Sequence, residues 1–300
     1  MSAATTPTMA ESLHQTCRDL LATGTVQVVI GYRPVSDTAV TPAFVTEPDD
    51  VGQLVFDHRC HQNLTVYLTR PQVRRLGKAA VVVKGCDEGS VVMLHKESQI
   101  DREQVHLIGM ACSGTGDPIQ PRCAACAVRR PRHCDVVIGD MDDASAATTG
   151  ETATGETTEG KTSNFPVLDK FMTMSAEQRF EYWTAEFSRC TRCYACRQVC
   201  PLCYCQVCVL DKNRPQVVDT SAHAKGTLAF HITRAFHLGG RCAGCGACTR
   251  ACPAGINLSL LNMSIAKAVE QEFGIHPGAD PADDMIVGVY STGDREDFIR

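Results

Sequence analysis

Two stretches of the chain repeat one cysteine spacing without deviation. Cys190, Cys193, Cys196 and Cys200 followed by Pro201, and Cys242, Cys245, Cys248 and Cys252 followed by Pro253, both read C-x2-C-x2-C-x3-C-P. Thiols set this closely constrain the backbone to curl around a common centre, and that centre decides what the surrounding chain can fold into. The chain carries 18 cysteines in 300 residues. A disulfide framework belongs to short secreted chains, so clustered thiols in a chain of this length read as metal ligands or redox groups. A cytoplasmic location is expected, because "MSAATTPTMAESLHQ" has neither a basic n-region before an apolar core nor an Arg-rich transit pattern. No apolar run approaches the roughly 18 residues of a spanning helix. The formal charge of −5 gives no basic face for nucleic acid.

The spacing matches the bacterial ferredoxin signature for cubane 4Fe-4S clusters, in which three thiolates two residues apart hold one cube and the fourth reaches the other. Assigned that way, Cys190, Cys193, Cys196 and Cys252 hold one cluster, and Cys242, Cys245, Cys248 and Cys200 hold a second. Zinc is the rival metal. Its motifs normally set two C-x2-C pairs apart by a longer loop and need no third evenly spaced cysteine, so the spacing favours the cubanes.

Between Cys200 and Cys242 lie 41 residues, more than a compact two-cluster ferredoxin holds, and they include an amphipathic segment, Leu228, Ile232, Ala235 and Phe236. This arrangement resembles the α-helical ferredoxin domains of the succinate dehydrogenase iron-sulfur subunit and the heterodisulfide reductase small subunit. The resemblance implies a domain that passes electrons between a catalytic or flavin subunit and an acceptor. Two further helices are expected here. One is capped by Ser175 with Gln178 and carries Phe180, Trp183 and Phe187; the other carries Leu258, Leu261, Ile265 and Val269 and ends at Gly274.

The first half reads as α/β. A helix over 11–23 precedes the strand "TVQVVIG"; "KAAVVVKG", "QVHLIGM" and "CDVVIGD" are further strands, with "VVMLHKESQ" a helix between two of them. The expected organisation is an α/β domain over 1–141, a flexible acidic linker over 142–163, a mainly α-helical dicluster ferredoxin domain over 164–276, and a tail over 277–300. The linker reading rests on "DDASAATTGETATGETTEGKTS", which has no large apolar residue to bury.

A second cysteine set lies in this α/β half: Cys86 after a strand in "KGCD", Cys112 after the next in "GMAC", Cys123 and Cys126 as C-x2-C, and Cys60 upstream. The order resembles the coenzyme F-420 hydrogenase/dehydrogenase beta-subunit family, whose strand-end Gly-x-Pro-Cys segment appears here as Lys84-Gly85-Cys86-Asp87. That resemblance implies a third 4Fe-4S cluster on Cys112, Cys123 and Cys126 with Cys86 or Cys60 as the fourth ligand. It also implies a flavin, FAD, for which Lys84 is the candidate contact. Without the resemblance these cysteines read equally as a zinc site or as buried inert thiols, and Lys84 as a solvated strand-end lysine.

Three cysteines stay outside both patterns. Cys203, Cys205 and Cys208 have no counterpart after Cys252; they either shield the first cluster or join Cys17, Cys60 or Cys134 in another metal site. The expected function is an electron-transfer subunit of an anaerobic redox complex of hydrogenase, formate dehydrogenase or heterodisulfide reductase type, with other redox subunits as partners. The alternatives are a flavin-dependent oxidoreductase of a deazaflavin or nicotinamide carrier, and a zinc-stabilised scaffold.

Overall fold

The computed structural model describes residues 7–124, 126, 128–141, 166–216, 218–288 and 292–293. The expected linker over 142–163 lies outside the described residues. Helix α1 (Met9–Ala22) is closed by a capping box between Thr8 and Glu11 and buries Leu13, Cys17 and Leu21. The chain then forms β1 (Val28–Ser36), turns, and returns as β2 (Ala39–Val45). After the single helical turn α2 (Pro71–Arg74) come β3 (Ala79–Val83), α3 (Gly85–Lys96), β4 (Val105–Met110), the turn α4 (Pro121–Ala124) and β5 (Val136–Ile138).

The five strands form one sheet in the order β2-β1-β3-β4-β5. β1 and β2 are antiparallel, with Ile30 opposite Phe44, while β1/β3, β3/β4 and β4/β5 are parallel, with Ile30 opposite Val81, Val82 opposite Ile108 and Met110 opposite Ile138. The parallel strands are continuous Val/Ile/Ala runs because both faces are covered, and every residue of β3 is buried. The sequence reading leaves β2 unassigned. Pro42 explains why: it lacks a ladder N–H, which an edge strand tolerates and a central strand does not. Helix α3 starts directly at the end of β3, earlier than "VVMLHKESQ" suggests, and so takes Cys86 into its first turn.

From residue 166 on, the described residues form helices and turns: α5 (Pro166–Met172), α6 (Ala176–Ser188), α7 (Ala195–Gln198), α8 (Ala224–His237), α9 (Ala247–Arg250) and α10 (Leu258–Phe273). Ser175 and Gln178 cap α6 reciprocally, at 3.2 and 2.9 Å, and Gly274 closes α10 in the left-handed region. Trp183 and Phe187 of α6 pack with Phe230 and Leu258 in a core of their own, while Phe180 is exposed. In α8 the buried residues include Phe230, His231, Arg234 and Ala235, and Ile232 and Phe236 point outward, so only Leu228 and Ala235 of the apolar stripe read from the sequence face the core.

The two halves touch through named bonds. Arg70 donates to the Gln198 carbonyl at 3.0 Å, Arg250 to the His61 carbonyl at 2.7 Å, and Arg241 pairs with Glu97. Lys96 holds the tail through the carbonyls of Asp280 and Asp283, and Gly278 lies against the backbone of Gly89 in α3. Among the described residues no helix is long and apolar enough to cross a membrane.

Candidate metal centre

The two C-x2-C-x2-C loops are conformational repeats. Arg192 and Tyr194 of the first take positive φ of 58° and 61°, and at the matching places of the second Gly244 and Gly246 take 67° and 69°. For a non-glycine residue this conformation costs about 1–2 kcal/mol, and it persists where the surroundings over-determine it. They do so here: Arg192 donates to the Gly226 carbonyl at 2.7 Å and to Tyr194 Oη at 3.1 Å, and its guanidinium lies 4.6 Å from the Phe230 ring centre. The result turns the Arg192 N–H toward Cys190 Sγ at 3.4 Å. Each loop ends in a helical turn, α7 or α9, that carries the third cysteine, Cys196 or Cys248, into a buried position.

The sulfurs group within each repeat, and the fourth cysteine of the other repeat joins them. Burial raises the Cys190 thiol, and the cysteines acting on it are Cys252 and Cys193. Burial likewise raises Cys242, and the cysteines acting on it are Cys248, Cys245 and Cys200. Cys196 and Cys248 are each pushed up to about 11, again chiefly by burial. Such buried thiols ionise only when a metal or a cation compensates. Among the described residues no three His, Cys, Asp or Glu side chains converge closely enough to grip a single metal ion. A lone zinc, with Zn–S near 2.3 Å, needs that convergence. Thiolates around a cubane stand farther apart, because four irons and their sulfides lie between them.

The α/β half gathers its own set. Cys86 on α3, Cys112 after β4, Cys123 on α4 and Cys126 line one cavity with Lys84, Arg122, Thr115, His61 and Arg250. Thr115 Oγ1 lies 3.5 Å from Cys123 Sγ.

The chain is similar to beta subunits of F420-dependent formate dehydrogenases. The F420-dependent formate dehydrogenase subunit beta of Methanocaldococcus jannaschii is 23% identical in an alignment covering 68% of this chain and 74% of that protein. The F420-dependent formate dehydrogenase 1 subunit beta of Methanococcus maripaludis is 22% identical, covering 87% of this chain and 88% of its own length. No family model matches the chain.

Other cysteines lie outside these sets, although Cys203 shares a side-chain hydrogen bond with Cys200. Cys60 is fully buried, donates to the Val55 carbonyl at 3.7 Å, and does not line the four-cysteine cavity; burial pushes it up to about 11. Cys17 belongs to the sheet core and is pushed up to about 12 by burial, and Cys134 lies 3.4 Å from Glu88 Oε1. Cys203, Cys205 and Cys208 line a different cavity of about 390 Å³, with Arg197, Arg234, Arg241 and Tyr204. The structure thus does not bring Cys17, Cys60 or Cys134 to those three.

Lys84 is not solvated; it is 3% exposed. Its Nζ meets Asp87 Oδ2 at 2.7 Å, Tyr32 Oη at 2.7 Å and the Gln62 carbonyl at 2.8 Å. An ammonium has three donors, and all three already have protein acceptors. Burial alone would lower its pKa, but the charge of Asp87, the nearby Tyr32 and Cys86, and the hydrogen bond to Asp87 together outweigh that and hold Lys84 ionised.

Sequence periodicity missed the side chains that face the sulfurs. His231 is 2% exposed, stacks on Phe187 and brings Nε2 to 3.3 Å from Cys190 Sγ. Burial, with Arg234 and Arg192 nearby, lowers its pKa to about 3, so the ring is neutral and can donate one hydrogen bond to the sulfur. Arg234, 4% exposed, donates to the Cys196 carbonyl at 3.1 Å.

Proposed function

We propose that this protein is an iron-sulfur electron-transfer subunit of a larger anaerobic redox complex of the formate dehydrogenase kind. In this reading an α/β domain over 1–141 and a helical ferredoxin domain over 164–276 carry three thiolate sets. The observation that carries the reading is the crossing of sulfurs between the repeats, Cys252 with Cys190 and Cys200 with Cys242, which is how two adjacent cubanes share one doubled motif. Cys190, Cys193, Cys196 and Cys252 would hold the first cluster, Cys242, Cys245, Cys248 and Cys200 the second, and Cys86, Cys112, Cys123 and Cys126 a third. The clusters would supply one-electron chemistry. The protein's part is to bury the thiolates, aim Arg192 N–H and His231 Nε2 at Cys190, and neutralise charge with arginine. The similarity to beta subunits supports partner redox subunits and a cytoplasmic setting.

A second reading rests on a cavity of about 790 Å³ between the halves, lined by Phe44, His61, Tyr67, Arg70, Gln198 and Arg250 among others. Its size suits a cofactor, and its arginines suit a phosphate. FAD or a deazaflavin bound there would make the chain an oxidoreductase with its own substrate site.

Anaerobic purification with iron, acid-labile sulfide, zinc and flavin assays tests both. About eight or twelve irons per chain without flavin supports the relay. Bound flavin and carrier reduction by the isolated chain favours the second reading, and zinc without sulfide defeats both. Cys200→Ser and Cys252→Ser should each remove about four irons, from opposite sets.

A further inference from the structure

The three cysteine sets are not equivalent in the cations that face them. Arg234 stands at the junction of the first two: its Nη2 donates to the Cys196 carbonyl at 3.1 Å, while the sulfurs that act on its charge are Cys200, Cys203, Cys248 and Cys196. Arg122 stands at the other junction. The sulfurs acting on it are Cys86 and Cys123 of the α/β set and Cys245 of the second motif, and an added Cβ at Gly246 would collide with its guanidinium. Arg250 adds a third cation on this side, donating to the Cys245 carbonyl at 3.1 Å.

Each keeps one buried donor without a protein acceptor, as does Arg192 beside the first set. Arg122 Nη1, Arg234 Nε and Arg250 Nε are buried without a hydrogen-bond partner. Burying an N–H of a guanidinium unpaired is costly, and the group cannot shed its proton. Such side chains persist where a negative charge sits beside them, which the thiolates around a bound cluster would provide. The α/β set has Arg122, Arg250 and Lys84 along its cavity, but Asp87 at 2.7 Å cancels the Lys84 charge. The first set has Arg192 and shares Arg234. Only the set of Cys200, Cys242, Cys245 and Cys248 adjoins both junction arginines and Arg250.

We infer that this middle set has the highest reduction potential of the three and takes the first electron, with Arg122 and Arg234 each shared between it and one neighbour. The inference rests on the iron-sulfur reading above. One electron enters each set with no bond made or broken and no proton required, because the arginines already carry their charge. Stored charge would then collect midway between the α/β set and the first ferredoxin set, rather than at either end.

The test is graded anaerobic reduction of the full iron-loaded chain with dithionite and mediators, read by electron paramagnetic resonance. The first signal to appear should be altered by Cys245→Ser. In Arg122→Gln and Arg234→Gln, which remove charge but keep an amide donor, that signal should need a roughly ten- to fiftyfold higher ratio of reduced to oxidised mediator. That range is the effect of one unit charge at about 7–12 Å in an effective dielectric near 20. The pattern discriminates further: Arg234→Gln should also move the first set and spare the α/β set, and Arg122→Gln the reverse. Arg122→Lys and Arg234→Lys should lie near wild type. A first signal indifferent to Cys245→Ser, or Gln variants of full iron content reduced within twofold of wild type, overturns the inference. So does loss of iron from the Gln and Lys variants alike, which would make the arginines structural. A wild-type chain without iron and sulfide instead defeats the underlying reading, before any variant is made.

Discussion

Lys84→Met isolates what the buried ion pair beneath the four-cysteine cavity does for the fold. In the native chain Lys84 and Asp87 are 3% and 0% exposed and 2.7 Å apart. Without the ammonium, Tyr32 and the Gln62 carbonyl keep each other, since the phenol donates to that carbonyl at 2.5 Å. The loss therefore falls on Asp87, left with the Lys84 backbone N–H at 3.2 Å and the Cys86 thiol at 3.8 Å but no cation. An uncompensated buried carboxylate costs about 3–5 kcal/mol, a large share of a total stability of roughly 5–15 kcal/mol. With a urea slope of about 2–3 kcal/mol/M, the midpoint should drop by roughly 1–2.5 M. Adding Asp87→Asn keeps the helix-capping acceptor and removes the charge, so the double variant should recover most of the loss. Anaerobic urea unfolding followed by circular dichroism measures both. A single-variant midpoint within about 0.3 M of wild type, or a double variant no better than the single, would refute the reasoning. Flavin content, if any, should be unchanged by Lys84→Met, because its three donors are already engaged.

Cys86→Ser should lower iron by about four per chain, whereas Cys60→Ser, at a core position outside the cavity, should leave iron unchanged; iron and sulfide assays decide. Serine at Cys203, Cys205 and Cys208 together should likewise leave iron and zinc content as in wild type, and a measured loss would make them ligands. Asp135 accepts from Leu107 N–H at 2.7 Å and Arg102 at 2.8 Å. Burial alone would raise its pKa, but these two bonds outweigh that and hold it below the usual carboxylate range. A depressed carboxylate contributes stability that is present above about pH 3.9 and lost as pH falls. Asp135→Asn should therefore flatten the acid limb of the stability curve, by at most about 1 kcal/mol at this third-exposed site. Gly278→Ala must hold a φ of 76° and push a Cβ into the Gly89 backbone; a cost of about 1–3 kcal/mol should show as a lower melting temperature and faster proteolysis within 277–288.

The parallel strands were legible because a strand buried on both faces is a continuous apolar run, as in "AAVVV", and the capping of α6 because Ser175 and Gln178 stand three apart. The inner face of α8 was not. Apolar periodicity finds the side of a helix that faces hydrocarbon, but α8 turns His231 and Arg234 toward sulfur and leaves Phe236 72% exposed. Where the centre of a domain carries negative charge, cations belong inside, and a hydrophobic stripe points the wrong way. The same physics hid Arg250. Which cysteines of the α/β half share a cavity was equally beyond spacing, since spacing does not tell that Cys60 turns to the Val55 carbonyl while Cys86 opens the first turn of α3 into the cavity.

In the proposed reading, the crossing of Cys252 to the Cys190 set also sets a timetable for making the protein. Ribosomes add roughly 5–20 residues per second, so the first motif emerges with three of its four thiols and waits about 3–11 s for the last. Cys200 is exposed for the same interval to whatever the cell offers a free thiol. A chain that stalls or is cut between residues 200 and 242 could complete neither set, so intact synthesis of the whole helical half becomes a precondition for either centre.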